Sequence, residues 1–387
     1  MFEPSYTHAL ARLNAFVPKA GQTYAAKRNY DDIGNVSGLS PYIRHRIITE
    51  EDVLRACLAR HSPSAAEKFI QEVYWRTYWK GWLEQRPAVW TAYQAELRGA
   101  LNRVQTESGL RQAWEAACKG ETGIDGFDHW ARELVQTGYL HNHARMWFAS
   151  IWIFTLRLPW TLGADFFLRH LLDGDPASNT LSWRWVGGLQ TVGKTYLARA
   201  DNIAKYTEGR FAPKGLASFA APLEGLPHPA LSPLPRTGVI DPNQRTGLLI
   251  TEEDLSPGWL LDQVSPVATA VVQTTAARSP LVVGEKVTAF VGESLQNCAT
   301  RFAARLGPVT VCAAEGLEAW MAEHALDQVV TAYLPVGPTA DALGKVPLVR
   351  VIRPYDAAAW PHATHGFFRF KEKIPALIGQ LNGLRVA

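Results

Sequence analysis

Apolar and polar positions in the first half of the chain follow the spacing of α-helices. In residues 65–84, 126–136 and 143–156, apolar side chains recur every three or four positions, which gathers them on one face of a helix. Runs that alternate apolar and polar residues, as half-buried strands do, are nearly absent before residue 212. The pattern therefore predicts that residues 1–212 form a mainly helical domain.

A proline-rich stretch ends this pattern. Seven prolines lie in residues 211–247, and no regular apolar spacing survives among them. Because proline lacks an amide hydrogen and interrupts helices and sheets, residues 213–245 are predicted to be a linker or an extended connection over the surface.

Beyond the linker, short apolar runs alternate with helical stretches. The apolar runs are residues 247–251, 267–273, 281–283, 308–312, 328–333 and 347–352, and the clearest helical stretches are 288–306 and 315–325. Strands that alternate with helices form parallel sheets. The sequence therefore predicts a smaller, Rossmann-like α/β domain over residues 246–387, whose amphipathic tail at 366–383 is expected to pack back as a helix.

Composition limits the class of protein. Of the 387 residues, 47% are hydrophobic and 19% are charged, which indicates a globular chain with a large core. The formal charge of +3 permits a local nucleic-acid patch but does not argue for one. Four scattered cysteines without a CxxC pair indicate reduced thiols in a cytosol-like compartment. The chain opens without a signal peptide, and its longest apolar run, 146–156, is too short for a bilayer. We expect a cytoplasmic monomer without membrane contact.

Aromatic and charged residues mark the helical half as the region with chemistry. Eleven of the fourteen tryptophans precede residue 190, which favours aromatic stacking or electron transfer as a hypothesis. Residues 173–185 combine two aspartates around a glycine, an amide and two indoles. Asp175-Pro176 is typical of a helix start. A helix cap followed by core indoles is the plainer interpretation of this segment.

Two helices could supply the rest of a pocket. Glu72, Trp75, Arg76 and Trp79 share one helical face, either as a pocket wall or as a solvated ion pair beside core indoles. Asn142, Arg145 and Met146 share another face, and Arg145 is a natural partner for an aspartate in the 173–175 turn.

Residues 188–195 match the phosphate-loop pattern GxxxxGKT, which would make Lys194 part of a nucleotide hydrolase. That motif requires a buried strand before it, and residues 182–187 do not have the composition of one. We therefore treat this match as an accident of sequence.

Taken in order, these blocks resemble the flavin-binding helical domain of the DNA photolyase/cryptochrome family over residues 20–212. The similar blocks are Tyr24 with Arg28, Val36-Ser37-Gly38-Leu39-Ser40-Pro41-Tyr42, Glu72 to Trp79, Thr122-Gly123 with Asp128, Arg132 and Leu134, Thr137 to Asn142, and Asp173-Gly174-Asp175 with Asn179, Trp183 and Trp185. Each block alone is weak, but their order and spacing together are specific.

The resemblance implies FAD as cofactor. The residues implied to bind it are Tyr24, Arg28, Val36, Ser37, Gly38, Leu39, Ser40, Phe69, Glu72, Arg76, Tyr139, Asn142, Arg145, Asp173, Gly174, Asp175 and Asn179. Ser37 and Ser40 would donate to the pyrophosphate, whereas Val36 replaces a threonine of the family and removes one hydroxyl from this phosphate cradle.

The resemblance also divides the 173–179 segment into roles. Arg145 and Asp173 would pair beside the isoalloxazine ring, and Asp175 would lie near the ribityl and adenine part. Asn179 would face the flavin N5, where the family pattern has asparagine in repair enzymes. The resemblance therefore favours a repair enzyme over a cryptochrome-type photoreceptor, which stays the alternative.

A DNA lesion pocket is implied in the same way. Trp75 and Trp185 would stack on a pyrimidine dimer that is flipped out of the duplex, and Glu72 would hydrogen-bond its bases. Asn142 and Met146 lie where the six-four photolyases carry two histidines, so the dimer would be of the cyclobutane type. The candidate contacts to DNA phosphates are Arg44, His45, Arg46, His143, Arg184, Lys194 and Arg199.

Two departures from the family pattern matter. Trp183 and Trp160 match the first two members of its electron-transfer chain, but Thr106 lies near the place of the third, and the candidates to replace it are Trp130, Trp147 and Trp152. The family's α/β antenna domain precedes the helical domain, whereas here an α/β pattern follows it. A rearranged domain order is thus expected, and binding of an antenna chromophore stays open.

Overall fold

The computed structural model describes residues 2–381, and its first half is helical. The helices there are α1 (Tyr6–Phe16), α2 (Gln22–Lys27), α3 (Ser40–Arg44), α4 (Glu50–Leu58), α5 (Glu67–Glu84), α6 (Ala88–Thr106), α7 (Ser108–Lys119), α8 (Phe127–Thr137), α9 (Asn142–Ser150), α10 (Trp160–His170), α11 (Pro176–Val186) and α12 (Ala200–Tyr206). The helices predicted over 65–84 and 126–136 are confirmed as α5 and α8. The stretch predicted over 143–156 is confirmed as α9, which continues in a π-helical turn, Ile151–Thr155.

The start of α11 follows the predicted chemistry. The Asp175 carboxylate accepts a hydrogen bond from the Ser178 backbone amide at 2.8 Å, and Pro176 occupies the first helical position. A proline at this position sacrifices no intrahelical hydrogen bond. This cap fixes where Asn179, Trp183 and Trp185 lie along α11.

The second half contains a five-stranded parallel sheet with the order β3-β2-β1-β4-β5. Its strands are β1 (Thr246–Thr251), β2 (Ala268–Val272), β3 (Val309–Val311), β4 (Gln328–Ala332) and β5 (Val349–Val351), and its helices are α13 (Gly258–Leu261), α14 (Glu285–Leu306), α15 (Leu317–Glu323), α16 (Pro338–Ala342), α17 (Pro354–Ala359), α18 (Phe367–Lys371) and α19 (Ile374–Gly379). The predicted α/β class is therefore confirmed.

Five of the six apolar runs are strands, and the prediction for 281–283 is wrong. These residues form an irregular connection before α14. Pro280 and Gly284 bound the run, and the Val282 side chain is 86% exposed. Three residues between two residues that break regular structure leave no room for a ladder of hydrogen bonds.

The two halves share one apolar core. A single cluster of buried side chains includes Trp82 and Trp183 from the helical half as well as Leu248 and Phe290 from the α/β half. A smaller cluster around Trp320 covers the other face of the sheet. Residues 207–245 contain no helix or strand, as expected of the linker. The boundaries at 212 and 246 stay predictions, because a shared core gives no sharp division.

The C-terminal helices pack back onto α5, as predicted for the tail. The Gly81 backbone lies so close to Trp360 that an added Cβ would be 2.8 Å from that indole. Tyr78 donates a hydrogen bond to the His365 carbonyl at 2.7 Å, and Phe370 is fully buried. Residues 382–387 of the predicted tail lie outside the described residues. None of the helices within residues 2–381 has the length and apolar character needed to cross a membrane.

The carboxyl edge of the sheet faces the helical half through buried ion pairs. Arg44 donates two hydrogen bonds to Glu253 at 2.8 and 2.9 Å, and Arg46 contacts Asp356 at 2.6 Å. Both arginines are at least 95% buried. A buried ion pair adds little net stability, but removal of one partner leaves the other charge unpaired in a low-dielectric environment. These contacts therefore tie the two halves together. We call this interface the domain junction.

Candidate functional site

Helices α2 and α5 bring together the first group of predicted cofactor residues. Arg28 and Glu72 form an ion pair between half-buried side chains. The Tyr24 ring packs edge-on against Phe69, with ring centroids 5.4 Å apart. Burial raises the pKa of Glu72 above its usual value, and Arg28 opposes this shift. The only hydrogen bond of Glu72 among the described residues comes from Arg28, and its role at a pocket wall stays a prediction.

Helix α9 and the turn before α11 form a second wall. Arg145 donates a hydrogen bond to Asp173 Oδ2 at 2.8 Å, as the sequence predicted. The same guanidinium lies 5.5 Å from the centre of the Tyr139 ring. The other oxygen of Asp173, Oδ1, is buried and has no hydrogen-bond partner among residues 2–381. A buried carboxylate oxygen without a donor is costly, so this atom is well suited to accept from a ligand N–H.

Asn179 lies on the first turn of α11 and is 8% exposed. Its side-chain nitrogen donates to the Ala164 carbonyl at 2.8 Å. This hydrogen bond fixes the orientation of the amide and leaves Oδ1 as the atom that can accept from a ligand. The group offers a neutral acceptor at a buried position.

Asp175 and Gly174 have mainly structural contacts. Asp175 Oδ2 lies 3.2 Å from both Arg76 and Lys80, and the Gly174 carbonyl accepts from Arg44 at 2.9 Å. Burial alone would raise the pKa of Asp175, but the Lys80, Arg76 and Arg44 cations hold it well below its usual value. A direct contact of Asp175 or Arg76 with FAD stays a prediction, because both belong to the domain junction.

The predicted phosphate cradle, Val36 to Ser40, is a turn that leads into α3. Ser37 Oγ accepts from the Leu39 amide at 3.3 Å, and Gly38 has a left-handed φ of 60°. A Cβ on Gly38 would overlap with the Arg12 guanidinium. Sequence reasoning missed Arg12, because it lies in α1, before the blocks that resemble the family, and no motif surrounds it.

The two predicted stacking indoles are half-buried and lie on neighbouring helices, α5 and α11. Trp75 stacks on Phe367, with ring centroids 3.6 Å apart and an angle of 11° between the planes. Trp185 stacks on Tyr196 at 5.8 Å. Each indole thus has one face held by another ring. Phe367 was also missed from the sequence, because it lies in the tail, far along the chain from α5.

The electron-transfer candidates lie in two aromatic groups. The buried Trp183 contacts Trp152, with ring centroids 6.2 Å apart. Trp160 contacts Tyr93 at 5.7 Å. Of the three suggested replacements for the missing tryptophan, Trp152 is therefore the one that touches Trp183, while Trp130 and Trp147 stack on each other. The roles of Trp160 and Trp183 stay predictions.

Three of the candidate DNA contacts are wrong. Arg44, His45 and Arg46 are 2%, 0% and 5% exposed and lie in the domain junction. A basic residue next to a predicted loop gives no signal that a distant carboxylate will cover it. Arg184 is also buried, at 8% exposure.

The remaining candidates lie nearer the surface. Lys194 and Arg199 are exposed, and Arg199 lines a surface pocket of about 290 Å³ together with Tyr196 and Lys205. His143 is half-buried against Trp147, and Nδ1 of its ring lies 2.8 Å from the Asn29 carbonyl.

Two further residues of the predicted lesion pocket lie on one side of α9. The Asn142 side chain is exposed, and its amide nitrogen lies 4.0 Å from the half-buried Met146 sulfur. The structure therefore brings these two together as the helical spacing predicted. Their contact with DNA stays a prediction.

The phosphate-loop alternative lacks its structural context. Residues 188–195 follow α11 as a series of turns, and the next helix begins only at Ala200. The motif requires backbone amides at the start of a helix that follows a strand. No strand precedes it in the part of the chain that the structure describes.

The sheet edge where an antenna chromophore would be expected is closed. Open α/β sheets bind ligands at the carboxyl ends of the strands where the strand order reverses, which here lies between β1 and β4. The Glu253 and Pro335 side chains meet Lys80 and Asp175 there, around a cavity of about 10 Å³. That volume holds roughly one water molecule, so a chromophore does not fit at this edge.

Comparison with known proteins identifies the helical half. Residues 69–218 match the family model described as the FAD binding domain of DNA photolyase. The chain is 32% identical over 190 residues to the Deoxyribodipyrimidine photo-lyase of Alkalihalophilus pseudofirmus. The aligned region covers 49% of this chain and 39% of that protein. The protein of the same name from Thermus thermophilus is 35% identical over 194 residues, with 48% and 43% covered.

A solved class III photolyase from Agrobacterium tumefaciens is similar at 27% identity, with a TM-score of 0.45 and coverage of 53% of this chain and 43% of that one. The chain spans about two fifths of the length of the curated relatives.

The donor set of the site fits the flavin of FAD. Asp173 Oδ1 is a buried acceptor without a donor, which suits the imide N–H of an isoalloxazine ring. Asn179 presents a second, neutral acceptor. Residues 69–218 are therefore similar to the FAD-binding domain of DNA photolyase, and the residues of the site fit FAD as the cofactor of this region.

Proposed function

We propose that this protein repairs ultraviolet-damaged DNA in a light-dependent reaction that splits cyclobutane pyrimidine dimers. The observation that carries the proposal is Asn179, a buried amide whose nitrogen is bound to Ala164 and whose oxygen is left to accept. In the resembled family this residue type goes with repair rather than with signalling. The relatives named Deoxyribodipyrimidine photo-lyase support the same class.

The chain's own residues would bind and orient the cofactor. When bound, reduced FAD supplies the excited-state electron that opens the cyclobutane ring and recovers it afterwards. Asp173 would accept from the flavin imide, and Arg145 holds that carboxylate in place. The buried Asn179 would accept from N5–H without adding a charge. Burial of these groups keeps water from the ring and strengthens each hydrogen bond.

Trp75, Trp185 and Glu72 would bind the lesion. A dimer must leave the base stack to reach a buried flavin, and an indole face provides a stacking surface for it. Phe367 and Tyr196 each fix one face of these indoles. Burial raises the pKa of Glu72 and Arg28 opposes this shift, and the Glu72 carboxyl would hydrogen-bond the pyrimidine bases.

The exposed Lys194 and Arg199 would contact DNA phosphates on the same side as Trp185. Such contacts release counterions from DNA, so the affinity should fall as salt rises. The slope of the logarithm of the affinity against the logarithm of the salt concentration gives a direct check. Each lost phosphate contact lowers the magnitude of this slope by roughly one unit.

The experiment is a repair assay on the purified protein loaded with FAD and chemically reduced under anaerobic conditions. A thymine-dimer oligonucleotide is irradiated with blue light, and restored thymines are quantified by chromatography, with a dark sample as control. The Trp75→Ala variant should lose dimer binding. Trp259→Ala, in the α/β half and outside the proposed pocket, should retain it.

Light-dependent loss of dimers supports the proposal. Unchanged dimers in the presence of fully reduced flavin contradict it. If the flavin is photoreduced and the dimers persist, the photoreceptor alternative is favoured instead.

A further inference from the structure

The turn at Gly38 is built around an arginine from a distant part of the chain. Gly38 is buried and has a φ of 60°, a conformation that L side chains rarely adopt. The Arg12 guanidinium occupies the space into which a side chain at position 38 would project. Glycine at this position therefore admits the arginine as well as the turn.

Helix α1 holds Arg12 in this place from several sides. Ala9, Leu13 and Phe16 anchor the helix in the core, with 0%, 2% and 5% exposure. The first amide of the helix, that of Tyr6, donates to the Asn297 side chain of α14 at 3.1 Å. An arginine on so firmly packed a helix loses little further freedom when it binds a ligand.

The surroundings of Arg12 connect the phosphate cradle to the flavin wall. Its guanidinium lies 5.0 Å from the centre of the Phe2 ring, which in turn lies 5.3 Å from the Tyr139 ring. Tyr42, in the helix that follows the cradle, has its pKa raised to about 12 by burial, and Arg12 opposes this rise. Arg12 thus lies between the cradle and a predicted FAD contact.

The cradle itself supplies no charge to a phosphate. None of the residues from Val36 to Ser40 is ionisable, and valine provides no hydroxyl. The pyrophosphate of FAD is doubly anionic, and a guanidinium binds phosphate oxygens through two parallel hydrogen bonds. A fixed cation beside Gly38 supplies what the cradle lacks.

We propose that Arg12 binds the pyrophosphate of FAD, so that α1 contributes to the cofactor site although it lies before residues 69–218, the part matched to the family. The inference rests on FAD binding by this domain and does not depend on which reaction the protein catalyses. Arg12 is a cofactor-binding residue in this proposal and takes no part in electron transfer.

The test compares FAD with riboflavin, which has the same ring and no phosphate. Dissociation constants of wild type, Arg12→Gln and Arg12→Lys are measured from flavin fluorescence after the bound flavin is removed and returned. The Gln variant should bind FAD about 10- to 100-fold more weakly, and the Lys variant should recover part of this loss. Riboflavin binding should change less than twofold.

Lys19 provides a matched control. Its ammonium is exposed and lies 3.4 Å from the Gly34 carbonyl at the edge of the same turn. Lys19→Gln removes the same charge nearby and should leave the FAD affinity within about twofold, because an exposed charge is screened. Added salt should weaken FAD binding to wild type more steeply than to Arg12→Gln.

Three outcomes would overturn the proposal. These are an unchanged FAD affinity in Arg12→Gln, an equal loss for FAD and riboflavin, or an equal loss in Lys19→Gln. If Arg12→Gln fails to fold, the salt dependence of FAD binding to Arg12→Lys tests the proposal instead. The lysine keeps the charge, so FAD binding should be weaker but should depend on salt as steeply as in wild type. Repair of dimers is not a readout, so failure of the proposed function leaves this result intact.

Discussion

Two aspartates that lie two residues apart face different regions of the molecule. Asp173 belongs to the cofactor wall, where Arg145 binds one of its oxygens and the other has no partner within residues 2–381. Asp175 belongs to the domain junction, where the Ser178 amide, Arg76 and Lys80 engage both oxygens.

The difference is in what the charge does. In the domain junction the protein satisfies its own carboxylates and gains rigidity. At the cofactor wall the Asp173 Oδ1 acceptor has no donor from residues 2–381, so a ligand N–H can supply one.

The largest expected effect is loss of stability when the domain junction is broken. Asp175→Asn removes one of the two anions that contact Arg76 and the buried Lys80, the others being Glu50 and Glu253, and we expect a loss of about 3–5 kcal/mol in the free energy of unfolding. Urea unfolding measures it. Asp262→Asn removes an exposed partner of Arg305 and should cost under about 1 kcal/mol. Equal effects of the two variants would contradict the assigned role of Asp175.

The second effect is loss of cofactor when the open acceptor is removed. Asp173→Asn should weaken FAD binding by about 10- to 100-fold, because hydrogen bonds to a charged group contribute about 1.5–3 kcal/mol. The unfolding free energy of the flavin-free protein should fall less than in Asp175→Asn. Flavin titration followed by urea unfolding gives both values. If Asp173→Asn retains FAD and loses stability instead, the two aspartates do not differ as described.

A third prediction concerns pH. Glu84 lies in the domain junction, and burial raises its pKa from 4.5 to about 7 although Tyr333 and the Val336 amide donate to it. A carboxyl with a raised folded-state pKa contributes stability in full below its unfolded pKa, and the contribution disappears as pH rises through the folded value. Between pH 4.5 and 7, wild type should therefore lose roughly 2 kcal/mol relative to Glu84→Gln.

The difference between the two proteins is the quantity to follow. Burial also lowers the pKa of His141 and His170 to about 4 and raises that of Glu133 to about 7, so these groups add their own pH dependence, which the subtraction removes. Thermal or urea unfolding at half-unit pH steps measures the difference. Parallel curves for wild type and Glu84→Gln would show that this carboxyl does not titrate as described.

The smallest expected effect tests whether the C-terminal tail belongs to the proposed lesion pocket or only to the apolar core. Phe367→Leu keeps an apolar side chain under Trp75 but removes the aromatic stack, which is worth about 0.5–1.5 kcal/mol. Affinity for dimer-containing DNA should fall about threefold to tenfold, with little change for undamaged DNA. Phe368→Leu, at a side chain that is 79% exposed, is the matched control. Equal loss for both DNAs would assign Phe367 to the core alone.

Local patterns predicted much of this structure. Helices α5 and α8 follow from apolar periodicity, and the start of α11 follows from Asp175 and Pro176. The Arg145–Asp173 pair could be expected because opposite charges lay on elements that the resemblance brings together. The alternation of apolar runs with helical stretches predicted the parallel sheet, whereas the three-residue run at 281–283 was too short to distinguish from a connection.

Contacts between distant segments could not be predicted. The sequence predicts Arg44 as a DNA contact, whereas in the structure it binds Glu253, 209 positions later. Arg12 lies beside Gly38 from α1 and Phe367 stacks on Trp75 from the tail, and neither belongs to a motif. Each of these placements depends on how the α/β half packs against the helical half, which periodicity within one element does not encode.

The central claim is that this FAD-binding domain serves light-dependent repair of DNA, and single flashes of blue light test it most directly. Protein with fully reduced FAD is mixed under anaerobic conditions with a thymine-dimer oligonucleotide, with the protein in excess over the oligonucleotide. Restored thymines are counted after each flash. We expect a stepwise loss of dimers with each flash and none in the dark. Reduced, DNA-bound protein that leaves every dimer intact after many flashes would contradict it.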